Sequence, residues 1–167
     1  QIGARVTAMA RSDLDAFDRK LLTLVQRDAG RTADALAEEV GLSPSSVLRR
    51  LKRLRDDGVI VATAAVVDPL KVGKPNFFLA ALEIERERPE LIARLRQWLA
   101  AEPWIQQVYY VTGTADFVLV VVAPDVGAYD ALMSRLMGDN PNVRRFTTNV
   151  ALGVGKRSLF VPIDSAD

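Results

Sequence analysis

The sequence predicts an α+β chain, a helix-turn-helix unit, with or without a wing, followed by a βαββαβ unit of ferredoxin-like topology. Three observations predict it. Residues 32–60, TADALAEEVGLSPSSVLRRLKRLRDDGVI, read as a short helix, a tight turn at Gly41 and a second helix with five cations and no acid from Ser43 to Arg55. Beyond Lys74, strand-like runs alternate with helical periodicity. The run Phe117–Ala123 is apolar enough to belong in the centre of a sheet. With 167 residues, 49% of them hydrophobic and 26% charged, the chain can bury the core of one large domain or two small ones.

Residues 1–12 read as an arm, in which Met9 is a candidate natural start. Leu14, Phe17, Leu21, Leu24 and Val25 recur at helical spacing and predict a first amphipathic helix from about Asp13 to Asp28. Its early acids suit the positive end of the helix dipole. Thr32 is the expected N-cap of a second helix that turns Leu36, Ala37 and Val40 inward. Gly41 sits where helices end in left-handed geometry. Ser43 and Pro44 then start a third helix, serine as cap and proline at the first position, where its missing N–H costs nothing. Val47, Leu51 and Leu54 form its inward stripe. Ser46, Arg49, Arg50 and Arg53 share the opposite side.

The first unit thus spans residues 13–60, and residues 61–73 are a wing or linker. Val59 to Val67 suit either a short two-stranded wing or one strand leading out. The second unit spans 74–163. Its expected order is strand 77–85, helix 89–101, strand 105–112, a turn at 113–116, strand 117–123, helix 126–138 and strand 143–152. Such an order builds one antiparallel sheet with two helices on one face. The other face needs a cover, and a second copy of the chain is the simplest one.

Composition removes several classes of function. There is no cysteine, hence no disulfide framework, thiol nucleophile or cysteine-based zinc site. There is no histidine, which removes the commonest general base and metal ligand. No cofactor or metal is expected. No apolar run approaches a bilayer's thickness and no secretory pattern opens the chain, so the reading is cytoplasmic with no membrane partner. Net charge is only +1, so the case for nucleic acid rests on where the cations lie.

They lie on the third helix. The DNA-contacting set is Ser43, Ser45, Ser46, Arg49, Arg50, Lys52 and Arg53. Lysine and arginine along a helix meet phosphates and position the protein. Ser45, Ser46 and Arg49 lie in the first turns, which go deepest into the major groove, where an arginine forks onto guanine O6 and N7. Leu48 lies off the core stripe and suits a thymine methyl or burial beneath a wing. Two other patterns are decoys. GVGKRS lacks a phosphate loop's first glycine, since Val150 stands there, and has Arg157 where Ser or Thr is required. Trp98, Trp104, Tyr109 and Tyr110 fit packing better than base stacking.

LDAFDRKLLTLVQRDAGRT and LAEEVGLSPSSVLRRLKRLRDDGVI resemble the DNA-binding half of the Lrp/AsnC (feast/famine) transcription regulators. VYYVTGTADFVLVV and FTTNVAL resemble that family's effector-binding domain, and the resemblance runs from about Leu14 to Val161. It implies a homodimer, often assembled into tetramers or octamers, on palindromic double-stranded operators. It also implies an amino acid or related small metabolite bound near the turn that matches Gly113 to Asp116. The chemistry agrees. Asp116 suits the ammonium, while N–H groups around Gly113 and Thr114, with the hydroxyls of Thr112 or Thr148, suit the carboxylate. Ala115 completes the turn, and Phe146, Thr148 and Val150 share one side of the last strand. The plainer reading of Asp116 is a turn residue bonding its own backbone. The chain departs from the family pattern in its longer segment before Leu14 and in Gly153-Val154-Gly155 after the last strand.

The function expected is a sequence-specific transcription regulator responsive to such a metabolite. Three alternatives stay open: an architectural DNA-binding protein of the same fold without an effector, an enzyme like the related siroheme decarboxylases, whose chemistry relies on the histidine this chain lacks, and an oligomeric binding module whose basic helix is merely solvated.

Overall fold

A computed structural model describes residues 14–73, 75–85 and 88–163. The expected arm, residues 1–12, and Met9 within it lie outside the described residues. The chain divides into two compact units. One holds residues 67–155, and the other holds 14–66 together with 156–163.

The second of these is trihelical. Helix α1 (Ala16–Arg27) opens with a capping box in which Asp15 and Asp18 each accept the other's backbone N–H. Helix α2 (Ala33–Val40) is capped by Thr32 and ends at Gly41 with φ +80°, the left-handed conformation that glycine adopts without strain. Helix α3 (Pro44–Asp56) starts from Ser43, whose hydroxyl accepts the N–H of Ser46. Leu21, Leu22, Leu24, Leu36, Ala37, Val40, Val47, Leu51 and Leu54 are buried together as one core. Phe17, expected inward, is instead 40% exposed, with the Arg50 guanidinium over its ring at 5.4 Å.

No wing forms. Residues 59–68 carry no strand, and 61–68 are exposed throughout. A short 3₁₀ turn, Pro69–Lys71, follows. Val61 and Val66 have strand-favouring shapes, but the described residues of their own unit hold no partner strand to receive their hydrogen bonds, and a lone strand is not stable. The C-terminal residues 156–163 form no regular element and pack on α1. They were expected as the end of the sheet-bearing half.

The sheet-bearing unit holds β1 (Asn76–Ile84), α4 (Pro89–Ala101), β2 (Ile105–Tyr110), β3 (Phe117–Ala123), α5 (Val126–Asp139) and β4 (Val143–Val150). The strands stand in the order β2-β3-β1-β4, and every neighbouring pair is antiparallel. This is the ferredoxin-like arrangement, with the apolar β3 inside the sheet. The register places Phe78 opposite Val121, Ala80 opposite Leu119 and Leu82 opposite Phe117. These residues share the face covered by Leu95 and Leu99 of α4 and Tyr129, Leu132, Met133 and Leu136 of α5. The opposite face carries Leu79, Ala81, Val118, Val120, Val122 and Tyr109, half-buried or exposed, and no element among the described residues of this unit covers it. β4 stops at Val150, two residues short of the expected end; the Ala151 N–H still bonds Phe77 O at 2.9 Å, and Gly153 and Gly155 follow in irregular backbone.

Candidate DNA and effector sites

The outer side of α3 begins as a serine cluster. The Ser43 hydroxyl lies 3.1 Å from that of Ser45 and donates to that of Ser46 at 2.9 Å. Ser45 is exposed and Ser46 half-buried. One turn on, Arg49 is exposed with no ion-pair partner among the described residues, and Leu48 beside it is 58% exposed. These side chains are available to a groove.

Arg50 and Arg53 are engaged inside the unit. Arg50 Nη1 donates to Asp15 Oδ2 at 2.7 Å and to Asp18 Oδ1 at 2.9 Å, and Arg53 Nη2 bonds the second oxygen of Asp18. Asp18 is fully buried, so both its oxygens need donors, and the two arginines supply them. The Asp18 N–H, with Arg50 beside it, holds the Asp15 carboxyl below its ordinary value near 3.8. Bonds to Asp15 and then Asp18 push the Arg50 guanidinium up. Arg50's side chain retains 22% exposure and Arg53's 49%, so Arg53 keeps an outward edge. Lys52 pairs with Asp56 one turn along, with both side chains largely exposed. A sequence signal for this network existed in the Asp15-x-x-Asp18 pair opening α1. What it lacked was the crossing of α1 over α3.

The effector set falls into two groups. The turn 112–116 closes β2 onto β3, with Thr112, Gly113 and Thr114 exposed and Ala115 and Asp116 half-buried. Gly113 has φ +122°. Asp116 Oδ2 accepts the N–H of Ile84 at 2.7 Å, where the β1–β4 register slips between Glu83 and Ile84. The Asp116 N–H bonds Leu82 O. Its carboxylate therefore tends a donor of the neighbouring strand and not its own backbone. Phe146, Thr148 and Val150 pair with Leu82, Ala80 and Phe78, so they share the face beneath the helices. Thr148 Oγ1 lies 2.6 Å from Tyr129 Oη, and burial raises the Tyr129 pKa. Phe146 lies near the turn, two strands across. Val150 lies four residues further along β4, about 13 Å at strand rise. Within one chain the two groups do not converge on a single cavity.

Among the described residues no cluster of three or more potential metal ligands occurs, and no helix is long and apolar enough to cross a membrane.

Comparison with known proteins gives these sites a context. The family model for winged helix-turn-helix DNA-binding matches residues 14–61, and that for the Lrp/AsnC ligand binding domain matches residues 78–159. A helix-turn-helix-type transcriptional regulator of Sinorhizobium fredii is 38% identical over 152 residues, covering 91% of this chain and 90% of its own. The crystal structure of an AsnC family regulator from Agrobacterium tumefaciens superposes with a TM-score of 0.81 at 30% identity, covering 89% of this chain and 96% of that one. A Neisseria meningitidis transcriptional regulator, solved as its L-methionine complex, superposes with a TM-score of 0.80 at 26% identity, covering 89% and 96%. With a DNA-binding helix-turn-helix in one unit and a ligand-binding fold in the other, the chain belongs to the Lrp/AsnC family of transcription regulators.

Proposed function

We propose that this regulator binds specific operators as a homodimer and changes assembly or DNA affinity when an amino acid or related metabolite binds. The observation that carries the DNA half is Arg49, exposed and without an ion-pair partner among the described residues, beside the capped start of α3. Ser45, Ser46 and Arg49 read bases, and the free edge of Arg53 meets phosphate. Arg50 serves mainly to hold α3 against α1. The dimer forms over the open sheet face, where Leu79 and Tyr109 are exposed, and its two-fold symmetry implies a palindromic site.

The effector half rests on the turn 112–116, exposed at Thr112, Gly113 and Thr114, on the ligand-binding family match and on the L-methionine complex of the Neisseria relative. In this reading the turn supplies backbone donors and the Asp116 charge, and a neighbouring copy completes the site. The protein acts by binding and not by catalysis, in keeping with its lack of histidine and cysteine and with relatives that are regulators. The same reading places it in the cytoplasm, with its DNA.

Fluorescence anisotropy on the DNA upstream of its gene tests the proposal. Arg49→Ala should lose about 1–3 kcal/mol on the preferred site, roughly 5- to 150-fold, and little on unrelated duplex. Equal affinity of wild type for both duplexes would sink sequence specificity. For the effector, Asp116→Asn keeps an acceptor for Ile84 while removing the charge. It should abolish the thermal shift produced by the responsive amino acid and leave DNA affinity intact. An undiminished shift removes Asp116 from the site.

A further inference from the structure

We propose that residues 156–163 strap onto α1 to give the helix-turn-helix unit a second phosphate-binding surface, and that its ligand is a phosphodiester of the DNA backbone. The inference rests on the DNA-binding reading above. The strap is held by directional contacts. Gln26 Oε1 accepts the Val161 N–H at 2.8 Å and Gln26 Nε2 donates to Val161 O at 3.1 Å, so one side-chain amide pairs with a backbone residue as a neighbouring strand would. The Arg27 guanidinium lies 5.9 Å from the centre of the Phe160 ring, and Ile163 packs against the trihelical core.

Between α1 and the strap runs a groove of about 440 Å³ lined by Gln26, Arg27, Lys156, Ser158 and Phe160. No acid lines it. Asp28, next to Arg27 in sequence, accepts the Gly30 N–H at 2.8 Å. Residues 151–163 contain no acid at all. Arg27 and Lys156 have no ion-pair partner among the described residues. The Ser158 hydroxyl accepts the Phe160 N–H, which leaves its own O–H to donate. Two cations and a hydroxyl on an acid-free groove suit a phosphate's oxygens. The place also fits. Arg27 ends α1 five residues before Thr32, the cap of α2, and in a helix-turn-helix that helix crosses the DNA backbone. Such a surface is useful here because α3 spends much of its charge internally, Arg50 and Arg53 on Asp15 and Asp18 and Lys52 on Asp56.

The experiment is affinity against salt for the full chain on one duplex containing the preferred site and one without it. Replacing Lys156 and Arg27 together by glutamine should lower the slope of log affinity on log salt by about 2. It should weaken both duplexes by the same factor, about fivefold per contact near 0.15 M salt. Lys156→Arg with Arg27→Lys should retain the slope. Gln26→Ala, which unclips the strap with both cations present, should lose it. Arg49→Ala is the reference. If Arg49→Ala changes affinity while the double glutamine variant keeps the wild-type slope, the strap surface is overturned and the DNA reading stands. If wild type binds neither duplex, both fall. A thermal shift by inorganic pyrophosphate that the double variant loses, with its DNA slope unchanged, overturns the proposal in favour of a free anion.

Discussion

Arg49 and Arg50 are neighbours on one helix with opposite fates. Helical geometry turns successive residues by about 100°, so Arg49 meets solvent while Arg50 reaches back across α1. Removing Asp18 would leave two arginines facing each other without their buried counter-charge, so Asp18→Ala should destabilise the trihelical unit by about 2–3 kcal/mol. Chemical denaturation measures it, and an unchanged midpoint would refute the network's role. Asp15 adds a pH dependence of known sign. Its folded pKa lies below the ordinary value near 3.8, so its contribution is complete above that value and is lost as pH falls through the lowered one. Melting of wild type against Asp15→Asn should therefore differ at pH 5, and the difference should shrink as the pH is lowered below the ordinary value. The effect is small because Asp15 is exposed.

Elements are held by caps and by a few pairings across layers. Ser43 supports the start of α3 through one backbone and two hydroxyl partners, so Ser43→Ala should cost about 1 kcal/mol and loosen the serines that face the groove. In the sheet-bearing unit Tyr129 stacks on Phe78 at 4.0 Å and hydrogen-bonds Thr148. Thr148→Val keeps the shape and strands the buried phenol, so melting should fall by the equivalent of about 1–3 kcal/mol. Should Thr148→Val instead leave stability unchanged and abolish the effector response, Thr148 would be a ligand residue and not a brace. The caps at Thr32, Gly41 and Ser43 were legible in the sequence, because each is a local hydrogen bond or a local backbone angle. The wing was not, since β-branched residues favour a strand only where another strand receives it.

At the scale of the molecule the proposed dimer rests on the open sheet face. Val120 lies at the centre of that face, between Leu79 and Gln107 in the register. Val120→Asp should dissociate the dimer in sedimentation velocity and lower operator affinity, because one recognition helix then binds alone. An intact dimer would place the interface elsewhere. The order of helices and strands, both fold classes, the buried stripe of α3 and the covered face of the sheet followed from the sequence alone, since periodicity and capping report on residues near one another in the chain. Three things were decided only in tertiary structure: which arginines remain free, where the carboxylates of Asp18 and Asp116 go, and the return of residues 156–163 to α1. Each depends on contacts between residues more than thirty positions apart. Such contacts are set by how whole elements cross, and no local pattern encodes that geometry.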